Sequence, residues 1–180
     1  NLPLIRGLSS AYGLTFIPGT QAESIQIKKG AGSVVNGYES ITGQINLELQ
    51  KPDKADKLYL NMYANMMSKA EINVQAAQKL NDKWSTLTMF HANNQSIGHD
   101  RNNDNFEDHP LRSQYNLFNR WKYRGEKNVF QAGFRAVYDD LTAGQIVANE
   151  NEPLYTINVQ TKQFEVFTKN GFLFSICFLH

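Results

Sequence analysis

From Lys57 onward, apolar and polar residues alternate with a period of two through successive runs, and this pattern limits the chain to strands with one apolar and one polar face. Over Lys57 to Met67, Leu58, Leu60, Met62, Ala64 and Met66 share a face, opposite Asn61 and Asn65. After a tight connection at Ser68, Ile72, Val74 and Ala76 lie opposite Asn73 and Gln75. Asn81 and Asp82 make a turn, and a third strand runs from Trp84 to Asn93 with poor alternation. A polar loop spans Asn94 to Arg112. The fourth strand, Gln114 to Tyr123, sets Tyr115, Leu117, Trp121 and Tyr123 against Asn116, Arg120 and Lys122. After a turn at Gly125 to Asn128, the fifth strand carries Phe130, Ala132, Phe134, Ala136 and Tyr138 against Gln131 and Arg135. A second long polar stretch covers Asp139 to Thr161, and a sixth strand starts near Lys162. The fold class is therefore mainly β and antiparallel.

The remaining bounds exclude more than they assign. A net charge of +1 gives no pull toward nucleic acid. The one cysteine, Cys177, rules out a disulfide framework or a cysteine-based zinc site. No apolar run is long enough for a membrane-crossing helix, but strands that cross a membrane leave no such run. No nucleophile elbow, zinc-protease motif or paired carboxylates with a base role occur, so no enzyme is expected. The start at Asn1 reads as a cut end, and the apolar tail from Phe172 to His180 as an early end or frame shift, with a true terminal strand as the alternative.

Ahead of the alternating runs lies a glycine-rich stretch, Gly30 to Asn46, with Gly30, Gly32, Gly37 and Gly43 unevenly spaced. Ile25 to Lys29 before it and Ile45 to Leu49 after it read as strands, and Asn36-Gly37 is a tight-turn signal. It is not a phosphate loop, because no lysine-serine or lysine-threonine pair follows and no helical pattern opens after it. Upstream, Leu14 to Ile17 reads as a short strand stopped by Pro18-Gly19, and Gln21 to Ser24 as a helical turn.

Several of these residues together resemble the end of the plug domain of TonB-dependent outer-membrane receptors. They are Ile25 to Gly30, Ser33-Val-Val-Asn-Gly37, Ile41-Thr-Gly-Gln-Ile-Asn46 and the exit Lys51-Pro52. Ile5 to Leu8, with Arg6, is similar to an Arg-Gly element earlier in such plugs. Ala31 stands where the family usually has proline, and Asn36 where it usually has an aromatic. The form from Ser33 to Gly43 is similar to a subgroup common in Bacteroidetes.

The resemblance implies a layout. Residues 1–52 would be the C-terminal part of a mixed α/β plug whose turn holds Gly30, Ser33, Asn36, Gly37 and Gly43. Residues 53–56 would be a linker, and residues 57–180 the first strands of an incomplete transmembrane β-barrel. It implies an outer-membrane location and energised uptake of a scarce substrate: an iron chelate, another metal complex, cobalamin or a glycan. The implied partners are TonB, through an N-terminal part of the parent protein, and outer-membrane lipid. Trp84, Trp121 and Tyr123 sit beside short turns, where an interfacial aromatic girdle belongs. Arg6 would meet a barrel carboxylate, and Arg120, Lys122, Arg124 and Lys127 would meet lipid phosphates or solvate a turn. Two other readings stay open. One is a passive porin-like channel. The other is a soluble β-sandwich that binds a ligand or carbohydrate on Trp84 or Trp121, with its apolar face buried.

One loop has metal-ligand spacing. Asp100, Asn102, Asp104 and Asp108 fall at positions 1, 3, 5 and 9 of a calcium loop, with the Phe106 carbonyl at 7. Asn105 replaces the glycine at 6, and Leu111 the bidentate glutamate at 12. The pattern fits a weak structural Ca²⁺ site or a solvated acidic loop. His91, His99, His109 and His180 show no ligand spacing, and Met62, Met66, Met67 and Met89 suit packing or lipid contact.

Overall fold

A computed structural model describes residues 13–32, 43–146 and 154–172. The Arg6 element, Ser33, Asn36 and Gly37 of the glycine turn, and residues 173–180 of the tail lie outside the described residues.

Two antiparallel sheets account for most of what is described. The smaller pairs β1 (Ala22–Lys29) with β2 (Gly43–Leu49), as expected for strands flanking a turn. Gly30 has φ 79°, the left-handed backbone that glycine adopts without a Cβ clash. At Gly43, φ 148°, a Cβ would come 3.1 Å from the Lys28 carbonyl oxygen. The larger sheet is an antiparallel meander, each strand paired to the next: β3 (Leu58–Ala64), β4 (Lys69–Lys79), β5 (Trp84–Gln95), β6 (Leu111–Arg124), β7 (Asn128–Gly144) and β8 (Thr156–Phe172). It is open, with β3 and β8 at its edges. Adjacent strands joined by short turns are the pairing with the shortest loops to close. Ser68, φ 60°, closes the turn between β3 and β4, where Asn65 accepts the N–H groups of Met67 and Lys69 at 3.0 and 3.1 Å.

Three expected elements differ. Gln21 to Ser24 is not a helical turn: a 3₁₀ turn covers Gly19–Gln21, and β1 opens at Ala22, paired with Leu49 of β2. Leu14–Phe16 is a single 3₁₀ turn, not a strand. Its carbonyls bond to side chains of the large sheet, so it has no ladder partner to make it a strand. The polar stretch after Asp139 is mostly strand: β7 continues to Gly144, and β8 begins at Thr156 rather than near Lys162. There the alternation continues in opposite phase, with Leu141, Ala143, Ile157 and Val159 on the inward face and Asp140, Thr142, Asn158 and Gln160 on the outward one, so the strands run on past the change of phase.

Register assigns every side chain to a face. One level of the large sheet runs Leu60, Val74, Phe90, Leu117, Ala136, Phe164. The opposite face carries Asn73, Gln75, His91, Gln114, Asn116, Arg120, Arg135 and Asp139. Residues 13–21 and 49–55 pack on that polar face. Leu87, Met89 and Phe118 point into the same layer and form the small core there, with Leu49, Ala55, Ala77 and Phe167 against it. This explains the weak alternation of the third strand: Leu87 and Met89 occupy inward positions beside Arg120 and Gln75, on the face that is otherwise mostly polar.

Candidate functional site

The two faces of the large sheet are reversed from those of a water-soluble sheet. On the apolar face Met62 is 71 % exposed, Phe164 69 % and Val166 68 %, while on the polar face Gln114, Asn116 and Asp139 are each 1 % exposed. A soluble antiparallel sheet buries its apolar face and wets the other. A contiguous apolar surface of this extent marks a surface with a non-aqueous partner.

The polar face is buried because it hydrogen-bonds an irregular segment. Gln114 Nε2 donates to the Thr15 carbonyl at 3.0 Å, and Asn116 Nδ2 donates to the Phe16 carbonyl. Arg120 Nη1 donates to the carbonyls of Leu49 and Gln50 at 3.4 and 3.2 Å. Arg112 grips Asp139 with two bonds of 2.6 and 2.9 Å and donates to Thr15 Oγ1 at 2.5 Å. Segments without a ladder leave backbone carbonyls that must find donors when buried. Long amides and guanidinium groups on the sheet supply them.

Asn73, 3 % exposed, is fully used. Its Oδ1 accepts from Thr20 Oγ1 at 3.0 Å and meets His91 Nδ1 at 2.7 Å. Its Nδ2 donates to Asn61 Oδ1 at 3.1 Å and to Glu71 Oε1 at 3.0 Å. Beside it, a cavity of about 10 Å³ lined by Thr20, Gln21 and Gln75 has room for one water.

At the exit of the inner segment, Lys122 Nζ meets Asp53 Oδ2 at 2.6 Å. Burial pushes the Asp53 carboxyl up, but the Lys122 ammonium, its own backbone N–H and Arg124 together hold it below its ordinary value. Glu48 is held low first by its hydrogen bond to Lys51. Lys51 is raised first by that bond, against its own burial, and further by Glu23 at 3.4 Å. Arg120 and Lys122 thus point inward to this segment, not to lipid or a solvated turn. In this pair the sheet brings the lysine and the segment the carboxylate; the pairing expected for Arg6 lies outside the described residues. Sequence spacing gave no signal of these contacts, because their partners lie about 70 residues apart.

The apolar face is edged by rings. Trp84 stacks edge-on against Trp121, centroids 6.5 Å apart, and lies 5.1 Å from Tyr123, all beside the short turns. Tyr115 and Tyr138, 6.3 Å apart, mark its other margin. Beyond them the same face turns polar with Asn94, Ser113, Asp140 and Gln160. Along β5 the apolar stretch runs from Trp84 to Ala92, about 27 Å at a strand rise of about 3.3–3.4 Å. The lower ends of the strands slant: Leu58, which opens β3, is level with Val166 on β8, whereas β8 runs on to Phe172, with Thr168 and Asn170 between them on the same face. That offset is about 20 Å along the strands over about 24 Å across the sheet, a tilt of about 40°.

The acidic loop closes on its own backbone. Asp100 accepts the N–H groups of Asp104 and Asn105 at 3.3 and 2.8 Å, Asp104 accepts that of Phe106 at 2.8 Å, and Asp108 that of Arg101 at 3.0 Å. Asn102 Nδ2 donates to Asp104 Oδ2 at 2.8 Å. Asn103 and Asn105 are left-handed, φ 58° and 68°. Among the described residues, no group of three or more His, Cys, Asp or Glu could hold a metal ion.

Comparison with protein-family models, curated proteins and solved structures gives no match.

Proposed function

We propose that this chain is the part of a TonB-dependent outer-membrane receptor that joins the end of the plug to the first strands of the barrel. The observation that carries the reading is the reversal of faces: apolar outward, polar inward and filled by residues 13–21 and 49–55. In lipid an outward apolar face is the solvated one, and irregular backbone is tolerated only where protein or water surrounds it. Three further features support the reading. The apolar band, about 27 Å along the strands and so about 21 Å tall at their tilt, has aromatic margins and is near the ~25 Å band of transmembrane barrels. The strand tilt of about 40° lies in the range that barrels require. The short turns after β4 and β6 share one end of the sheet, and the longer connections after β5 and β7 share the other, like periplasmic turns and outer loops.

In this reading the parent protein is longer, because an open sheet edge is not viable in lipid. TonB acts through an N-terminal part of the parent, outer-membrane lipid covers the apolar face, and the outer loops and plug meet the substrate. That substrate is an iron chelate, another metal complex, cobalamin or a glycan.

A soluble sandwich requires a buried apolar face, and the exposure of Met62, Phe164 and Val166 weighs against it. A passive porin would lack the filling segment.

The test is fractionation of the full-length parent with heat-modifiable gel mobility. Outer-membrane localisation and a mobility shift on boiling are expected. A soluble product without a shift overturns the reading and favours the sandwich.

A further inference from the structure

We propose that His91 is a pH-sensitive catch that sets how firmly the large sheet holds the inner segment at Thr20. The hydrogen bonds around Asn73 lead to this assignment. Glu71 is a carboxylate and only accepts, so its bond to Asn73 Nδ2 at 3.0 Å orients the amide. Asn73 Oδ1 then faces both Thr20 Oγ1 and His91 Nδ1, at 3.0 and 2.7 Å. Two acceptors cannot share a hydrogen bond, so neutral His91 carries its proton on Nδ1. The titrating proton enters at Nε2.

His91 is 3 % exposed, so that proton creates a charge with little access to water. The charged groups facing it are Glu71 and Lys69 on β4 and Arg112 on β6. The inner segment brings the neutral hydroxyl of Thr20. Glu71 Oε1 is 3.8 Å from His91 Nδ1 and is the one carboxylate among these, yet it already holds Asn73 Nδ2. Its other oxygen lies 3.8 Å from Lys69. Arg112 is a cation engaged with Asp139. An imidazolium draws Glu71 Oε1 away from Asn73, the amide loses its orienting partner, and Oδ1 turns from Thr20. Acid therefore loosens residues 19–21 while the β4–β5 ladder stays paired. This holds for any partner of the apolar face and does not depend on the receptor reading.

The experiment is amide hydrogen exchange on the full chain between pH 8 and pH 5, corrected for intrinsic rates. The reporter is the Gln21 N–H, which donates to the Pro18 carbonyl at 2.9 Å, and amides of the β4–β5 ladder are the reference. Protection at Gln21 is expected to fall about tenfold across this range while the ladder is unchanged. In His91→Asn, whose amide keeps a donor near the Nδ1 position without titrating, the pH response of Gln21 disappears. Glu71→Gln keeps an acceptor for Asn73 but removes the counter-charge, and it moves the midpoint of the response to lower pH. An unchanged response in His91→Asn, or an unmoved midpoint in Glu71→Gln, overturns the assignment. So does loss of protection in the segment and ladder together.

Discussion

Replacing Phe134 by arginine separates lipid from water as the neighbour of the apolar face. Phe134 lies on the outward face of β7, four positions from Tyr138 at one aromatic margin and four from Phe130, which is level with Tyr123 at the other. That is about 13 Å along β7 from either margin. With a strand tilt of about 40°, its depth is about 10 Å from each, the middle of the band. Arginine at a bilayer midplane costs a transmembrane barrel about 2–4 kcal/mol, and about 0–1 near the interface. The midplane figure corresponds to a folding equilibrium reduced about 30- to 1,000-fold. Asn94→Arg, on the same face but beyond the tyrosine margin, is the control and should cost no more than about 1 kcal/mol. The assay is urea-induced unfolding of the parent in phospholipid vesicles, followed by the fluorescence of Trp84 and Trp121. If water covered this face, the guanidinium would be solvated and Phe134→Arg would cost about 1 kcal/mol, the ordinary value for a point substitution. Equal costs for the two variants refute the lipid-facing assignment.

Further outcomes follow from the polar face and the loop. Leu87 is fully buried against Met89 and Phe118, so Leu87→Ala should cost about 2–5 kcal/mol in the same unfolding assay. Asp53 titrates below its ordinary value, so its ion pair with Lys122 strengthens the hold on residues 49–55 at neutral pH. That contribution is complete above the unfolded value of 3.8 and is lost as pH falls through the lower folded value. Asp53→Asn should remove this acid step, read as exchange protection at the Lys54 and Ala55 amides below about pH 4. Asp100→Ala removes the acceptor for two loop amides and should unlock residues 100–108 by about 0.5–2 kcal/mol of local stability, by analogy with helix caps. Exchange in that loop should be the same with calcium or with a chelator, since its own N–H groups close it.

Much of the meander is legible in the sequence, because period-two alternation and turn residues act within a few positions of one another. The runs around Leu60, Val74, Leu117 and Ala136 became strands on the shared face expected for them, and the turns at Ser68, Asn81 and Gly125 separate neighbouring strands. β7 and β8 run further than the pattern read for them because the apolar set changes face there: Leu141, Ala143, Ile157 and Val159 lie inward, and Asp140, Thr142, Asn158 and Gln160 outward. The loop spacing at Asp100, Asn102, Asp104 and Asp108 was visible. Whether those oxygens meet an ion or their own backbone depends on loop closure, which spacing does not encode.

The sequence by itself determined that the large sheet has two unlike faces and which residues lie on each. Which face is covered was decided only by the tertiary structure, because a period of two is the same seen from either side. The deciding contacts are between residues far apart in the chain: Gln114 with Thr15, Arg120 with Gln50, and Lys122 with Asp53. Each satisfies a buried carbonyl or carboxylate that no local partner reaches, so the irregular segment goes to the polar face and the apolar face is left outside.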